Sequence, residues 1–309
     1  MAARRILAVT AQVAVSAGLL LWMFSRIEPA AVGGQIVRAG VPAFAAATVA
    51  LFLIGLPMAW RWRRIVAALG HAMRLRTALR LTLMNLFWFQ ALPSFLLADL
   101  IKGWGVRRTG LSLTQTALSI LIDRLSGAFS LALLCAPALP LLLWRTGWSL
   151  ATGTAALAAA GAAAALALLL AAPGLLPPSA AAWASTFRRL AADGRLMAFV
   201  LAQSILGVLL VVAATAILAR GMGAALSIVD FVAVLPPILL VTMFPVSFGG
   251  WGVREGAMVL GLGMVGVSAE GALALSVLLG LALMLAGMLS GAAGVALGLA
   301  EGRGGALAR

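Results

Sequence analysis

Asp99, Lys102, Asp123, Arg124, Arg254 and Glu255 are ionised residues in stretches that otherwise read as hydrocarbon-soluble. A charge at the bilayer centre costs about 2.5–3.5 kcal/mol on insertion scales, so such residues face a cavity or an opposite charge. The segment 243–256, MFPVSFGGWGVREG, places Pro245, Ser247, Gly249, Gly250 and Gly252 just before Arg254–Glu255. Glycines allow positive φ and close approach of another group. A helix starting near Val253 would offer free N–H groups and a positive dipole end to an anion. Arg254 would add a planar donor suited to phosphate, oriented by Glu255. The alternative is a glycine kink carrying a self-neutralising pair.

Asp123–Arg124 lies inside the apolar run 116–144, where it either lines a cavity or reaches headgroups from a helix end. Asp99 and Lys102, spaced i, i+3, can share a helix face. Asn85, Gln90 and Ser94 belong to the same region and could bind a polar head or satisfy opened backbone. Asp230 reads as an interfacial cap. His71 has no second ligand type nearby, so no metal or acid–base work is assigned to it, and no cofactor is expected. Cys135, the only cysteine, excludes intramolecular disulfides and reads as a buried structural thiol.

Enzymatic motifs are scarce. The chain has no Walker A loop and no H-E-x-x-H, C-x-x-C or G-x-S-x-G sequence. With no tyrosine, one histidine and one cysteine, a nucleophile and base would have to come from Ser, Asp or Glu. This leans against an enzyme.

The elements that must position these residues are membrane helices. Of 309 residues 64% are hydrophobic and 10% charged, against about 45–50% and about 25% in a soluble domain. Spans of about 20 residues are expected at Ile6–Phe24 (a retained helix rather than a cleaved signal), Val41–Trp60, 116–144, Trp148–Ala172, Met197–Leu218 and Ala272–Leu299. The net charge of +14 reflects arginine clusters in short loops, which stay cytoplasmic, rather than nucleic-acid binding. Arg4 and Arg5, the 61–80 loop with Arg61, Arg63 and Arg64, the 173–195 loop and the tail with Arg303 and Arg309 all fall on that side. Trp22, Trp60, Trp62, Trp144 and Trp148 are expected at headgroup level.

Two regions do not fit simple spans. Residues 81–108 would leave Lys102, Arg107 and Arg108 outside if they crossed once. A hairpin entering from the cytoplasm and turning near Pro93–Ser94 fits better. Residues 231–266, with Pro236, Pro237, Pro245 and the glycine cluster, read as a broken hairpin from the opposite face. GWGVR occurs at 103–107 and again at 250–254, the kind of echo an inverted repeat leaves. Interrupted segments in two halves point to a transporter site near the midplane. The expected architecture is therefore one all-α polytopic domain, 1–309, with about six full spans and two re-entrant hairpins meeting at a polar cavity. Its half-repeats would be about 1–145 and 146–300, followed by a tail at 301–309.

PVSFGGWGVREG resembles the P-[IV]-S-x-G-G-x-G-x-R-E signature of the lysylphosphatidylglycerol synthase transmembrane-region (flippase-like) family. LPSFLLADLIKGWGVRRTGLSLTQTALSILIDRLSG is similar to that family's first-half pattern through Pro93, Asp99, Lys102, Asp123 and Arg124. It departs from the pattern at Ala98-Asp99 and Lys102, where Gly-Asp and Arg are frequent, and at Asp123, where Glu is frequent. The resemblance implies lipid handling: an aminoacylated phospholipid, a hopanoid or a polyprenyl-linked lipid. Lysyl transfer is not expected of this chain.

Together these readings predict a lipid translocase of the inner (plasma) membrane with both termini cytoplasmic. Arg254, Arg124 and Lys102 would hold the head, and Glu255, Asp123 and Asp99 would position them. The alternatives are a transferase acting on polyprenyl-phosphate or isoprenoid lipid, and a scaffold for lipid-synthesis enzymes. Expected partners are the lipid, the bilayer, such enzymes or further copies of the chain, and no nucleic acid.

Overall fold

The computed structural model describes residues 18, 29–92, 95–146, 185–186, 188–190, 192–242 and 251–306. Within them the chain is helical, with no strand. The helices are α1 (Pro29–Leu53), α2 (Gly55–Ala68), α3 (Leu75–Ala91), α4 (Phe95–Arg107), α5 (Leu113–Thr146), α6 (Gly194–Gly221), α7 (Ile228–Thr242), α8 (Val253–Gly263) and α9 (Ala269–Ala306). Among the described residues four apolar runs are long enough to cross a bilayer: Ala30–Ala68, Leu113–Ala136, Gly194–Gly221 and Ala269–Ala300. They contain or overlap four of the expected spans. The expected spans Ile6–Phe24 and Trp148–Ala172 lie outside the described residues.

The Val41–Trp60 span does not end where the arginines begin. Its helix is bent at Gly40, with φ 71°, just before Pro42, where Pro removes a ladder donor and crowds the preceding turn. After a break at Ile54 the chain continues as α2 through Arg61–Arg64. The first part of the expected cytoplasmic loop is thus a packed helix. Trp62, expected at headgroup level, is fully buried.

Helix α9 is the spine against which α1, α3, α6 and α8 pack. Its glycines set the distance to α3: Arg80 lies against Gly298, Met84 against Gly294, Phe87 against Gly291 and Gln90 against Gly287. Small residues let membrane helices approach where larger ones would hold them apart. The rising and falling numbers show that α3 runs antiparallel to α9, from its C-terminal end to its middle. On the other side α7 and α8 pack together and α8 packs on α9, with Arg254 against Gly280. The hairpins α3–α4 and α7–α8 therefore approach α9 from opposite ends. With 1.5 Å rise per residue, Gly280 and Gly287 are about 10 Å apart along the axis, so Gln90 and Arg254 both meet the spine near its middle. The turn residues expected from the sequence, Pro93, Ser94, Pro245, Ser247, Gly249 and Gly250, lie outside the described residues.

The largest apolar core joins α1, α6, α7, α8 and α9 through residues such as Leu51, Leu218, Leu235, Met258 and Leu279. Cys135 is buried with Leu131 and Leu240 between α5 and α7. The two GWGVR strings adopt different local structures. Residues 103–107 close helix α4, whereas Gly252 is the positive-φ N-cap of α8. In α4, Gly103 faces Thr116 and Ile120 of α5 while Gly105 faces Leu81 of α3, so there the glycines serve packing.

Close contact also governs α1 and α6. A Cβ at Gly221 would come 2.6 Å from the Ala39 carbonyl oxygen and 2.7 Å from the Ala43 Cβ, neither of which can swing aside. Gly221→Ala should therefore cost roughly 1–3 kcal/mol, the range for overpacking. Gly207→Ala, on the same helix with nothing within 4 Å, should be neutral or mildly stabilising. Thermal unfolding of the two variants in one detergent compares them directly.

Candidate functional site

Helix α4 is amphipathic in an inverted sense. Ala98, Asp99, Lys102 and Val106 are buried, and their i, i+1, i+4, i+8 spacing puts them on one inward face. Leu97, Leu100, Ile101 and Trp104 point outward. The charged face meets α2, α3 and α5, and each acid there takes a partner from another helix.

Asp123 of α5 is the hub. Its Oδ1 accepts a hydrogen bond from Arg61 Nε at 2.8 Å and its Oδ2 one from Lys102 Nζ at 3.3 Å. Arg61 Nη1 also donates to Ser204 Oγ of α6 at 2.8 Å, and that hydroxyl donates to the Val200 carbonyl. The Lys102 ammonium sits 3.9 Å from the centre of the Trp62 ring, a stacking worth about 2 kcal/mol when desolvated. Trp62 in turn donates from Nε1 to Ser119 Oγ at 3.4 Å.

Arg124, one residue on and about 100° around the helix, leaves Asp123 and pairs with Asp99 instead. The pairing is bidentate, Nε to Oδ2 at 2.7 Å and Nη2 to Oδ1 at 2.9 Å. Asn85 Nδ2 supports the same carboxylate at 3.4 Å. Asp99 and Lys102 share a helix face as their spacing suggests, but the ion pairs cross over to α5. The Arg124 side chain is 33% exposed, against 2% for Lys102 and 8% for Arg61. It is the reachable member of the group, and its guanidinium lies 5.8 Å from the Phe89 ring centre. Arg61, Lys102 and Arg124 face Asp99 and Asp123, leaving one positive charge in excess.

The second cluster closes on itself. Glu255 is fully buried; its Oε2 accepts the Gly252 N–H at 2.6 Å, the return half of a capping box. Its Oε1 accepts from Arg254 Nη2 at 2.6 Å, from Arg254 Nε at 3.1 Å and from Ser276 Oγ at 3.1 Å. The Arg254 guanidinium lies 4.6 Å from the Trp251 ring centre, and a Cβ at Gly280 would collide with both groups. Helix α8 does begin at Val253, but the carboxylate at its N-terminus is the chain's own.

The sequence reading joined Arg124 and Arg254 in one pocket; the structure places them at different levels. Asn85 lies five residues before Gln90 on α3, and Arg254 lies beyond Gln90's level, at Gly280. The two clusters are separated by roughly 15–20 Å along α9, from the helical rise. Each buried charge has found its nearest opposite within its own helix group, which leaves neither free to complete a shared ring. Asp230, expected as an interfacial cap, is buried in the first turn of α7, where Oδ2 accepts from Ser227 N at 2.9 Å and from Ser227 Oγ at 2.7 Å and closes a capping box with Ser227. Among the described residues no group of His, Cys, Asp and Glu is placed to hold a metal.

Arg61, Ser204 and Ser276 were not singled out from the sequence. Arg61 stands in a basic run, and only the helical phase of Trp62, Ile65 and Val66 separates it from its exposed neighbours. Ser204 and Ser276 are single hydroxyls in apolar spans, without a local signal.

No curated protein matches the chain. The family model described as the lysylphosphatidylglycerol synthase TM region matches residues 9–291, a range that contains α1 to α8, both hairpins and both charged clusters. That coverage, with the arrangement of apolar spans and paired charges, makes this multi-pass membrane protein a member of the lysylphosphatidylglycerol synthase transmembrane-region family.

Proposed function

We propose that the protein moves an amphipathic lipid with an anionic or zwitterionic head between leaflets, and that the head is drawn to Arg124. The observation that carries this reading is the make-up of the buried group, in which three cations, Arg61, Lys102 and Arg124, share two carboxylates, Asp99 and Asp123. An anionic head would balance the excess positive charge. Arg124 makes the first contact because it is the exposed member. Lys102 and Arg61, held by Asp123, supply field from behind. Both carboxylates are already engaged, which favours an anionic over a purely cationic head.

Arg254–Glu255 then holds the start of α8 rather than the head, and Asn85 supports Asp99 beside it. The arginine-rich loops support an inner-membrane location with both termini cytoplasmic. Movement would follow a gradient or run downhill, since the sequence carries no nucleotide-hydrolysing motif.

Reconstitution tests it. Vesicles carrying the protein and a head-labelled phosphatidylglycerol should expose inner-leaflet label to an external reductant, while the mass of the lipid stays unchanged. Arg124→Gln should slow this at least about tenfold, the scale of one charge-assisted bond of about 1.5–3 kcal/mol, measured below the variant's unfolding temperature, which should fall because Asp99 loses its bidentate partner. Equal rates for the variant and the parent protein would remove the head-binding role. A new covalent lipid product by mass spectrometry would favour the transferase reading.

A further inference from the structure

Three cations and two carboxylates make an odd set. Each carboxylate has a guanidinium at short range: Arg61 on Asp123 at 2.8 Å, and Arg124 on Asp99 at 2.7 and 2.9 Å. The charge count closes there. Lys102 is the remainder, on the second oxygen of Asp123 at 3.3 Å, with its side chain 2% exposed. The charged groups around it are Asp123 and Arg124 of α5, Asp99 of its own helix and Arg61 of α2; α3 contributes the neutral Asn85.

The three cations differ in one respect. A guanidinium keeps its proton at any pH a protein meets, whereas an ammonium can release one. A buried group carrying surplus charge neutralises rather than bear the full cost of desolvation. With no head bound, a neutral Lys102 leaves two guanidiniums against two carboxylates. With an anionic head on Arg124, a charged Lys102 leaves three cations against three anions, and the Trp62 ring centre 3.9 Å from Nζ supports the ammonium. A polar way in runs along α5. Ser119 accepts from Trp62, and Thr116, one turn nearer the exposed residues 112–114, lies against Gly103. The buried Thr116 hydroxyl oxygen has no hydrogen-bond partner among the described residues.

On the reading that Arg124 takes an anionic head, we propose that each head bound draws one proton from the aqueous phase onto the Lys102 amine. The site is then neutral both empty and loaded. Loading is fullest while Lys102 is charged. It weakens as the pH rises past the titration of Lys102 in the loaded site, by about tenfold per unit. Arg61 and Arg124 cannot take this part, because each stays charged in both states.

Lys102 is the only lysine in the sequence, so the full chain grown on isotopically labelled lysine gives one lysine signal. Its Cε resonance reports the charge on Nζ. The protein is titrated with pH in phosphatidylcholine nanodiscs, with and without phosphatidylglycerol. The anionic lipid should raise the Lys102 midpoint by at least about one pH unit, a tenfold preference of the head for the charged state. Arg124→Gln should abolish that rise at the same lipid composition, which separates head binding from the surface charge of the membrane. In vesicles the parent protein should move phosphatidylglycerol more slowly above the loaded midpoint, and Lys102→Arg should lose this pH dependence. A Lys102 charged at every pH in phosphatidylcholine would overturn the proposal. So would a midpoint indifferent to phosphatidylglycerol, or a rise that survives Arg124→Gln, while lipid movement still depends on Arg124. Movement indifferent to Arg124 would instead remove the head-binding reading itself.

Discussion

Asp123→Ala should lower the stability of the folded protein by roughly 3–5 kcal/mol, the cost of breaking a buried ion pair from one side. Asp123 is one carboxylate serving two cations, Arg61 at 2.8 Å and Lys102 at 3.3 Å. Its loss strands both in a region from which water is excluded, and Arg61 keeps only Ser204. Arg61→Met removes a charge from a cluster that holds one too many, so it should cost distinctly less. Lys102→Met should behave likewise, since Asp123 retains Arg61. The Asp123→Ala/Arg61→Met double variant should recover part of the loss, because residues in one network are not additive. Thermal unfolding in a single detergent, followed by tryptophan fluorescence, ranks the four proteins. An Asp123 variant no weaker than the Arg61 variant would show that the hub does not hold α2, α4 and α5 together.

The hub was half legible. Hydropathy locates the spans because water exclusion acts on each segment separately. The hairpins follow from proline and from the side on which Lys102, Arg107 and Arg108 must lie. Asp99 and Lys102 read correctly as one helix face. Their partners did not, because a carboxylate's choice between Lys102 three residues away and Arg124 on another helix is settled only when α4 docks against α5. Arg61 failed for a sharper reason. Loop charge and buried charge look alike in a basic run, and ending the span at Trp60 turned a helical residue into a topological marker. The continuing phase of Trp62, Ile65 and Val66, all buried, contained the correction. The GWGVR echo misled in the opposite direction: identical letters close one helix and open another, since local conformation here follows the neighbouring helix rather than the string. Gly103 is pressed between packed helices, whereas Gly252 turns with φ 87°.

Glu255→Ala should be the costliest change in the second cluster, again roughly 3–5 kcal/mol for an uncompensated buried charge. One carboxylate there does three jobs. It neutralises Arg254, caps the Gly252 N–H and receives Ser276 Oγ. Glu255→Gln keeps an oxygen for the cap but leaves Arg254 charged and unmatched, so it should fall between the parent protein and alanine. Ser276→Ala removes one neutral partner and should cost only about 0.5–1.5 kcal/mol. The informative protein is Arg254→Met/Glu255→Leu. A buried pair replaced whole by apolar residues of similar size is often neutral for stability, so this variant should unfold near the parent temperature. If the pair serves only to hold the start of α8, lipid movement in vesicles should persist in the double variant and fail in Arg124→Gln. Loss of movement in a stably folded double variant would instead assign the head to both clusters, and the two levels along α9 would then be successive stations on one path.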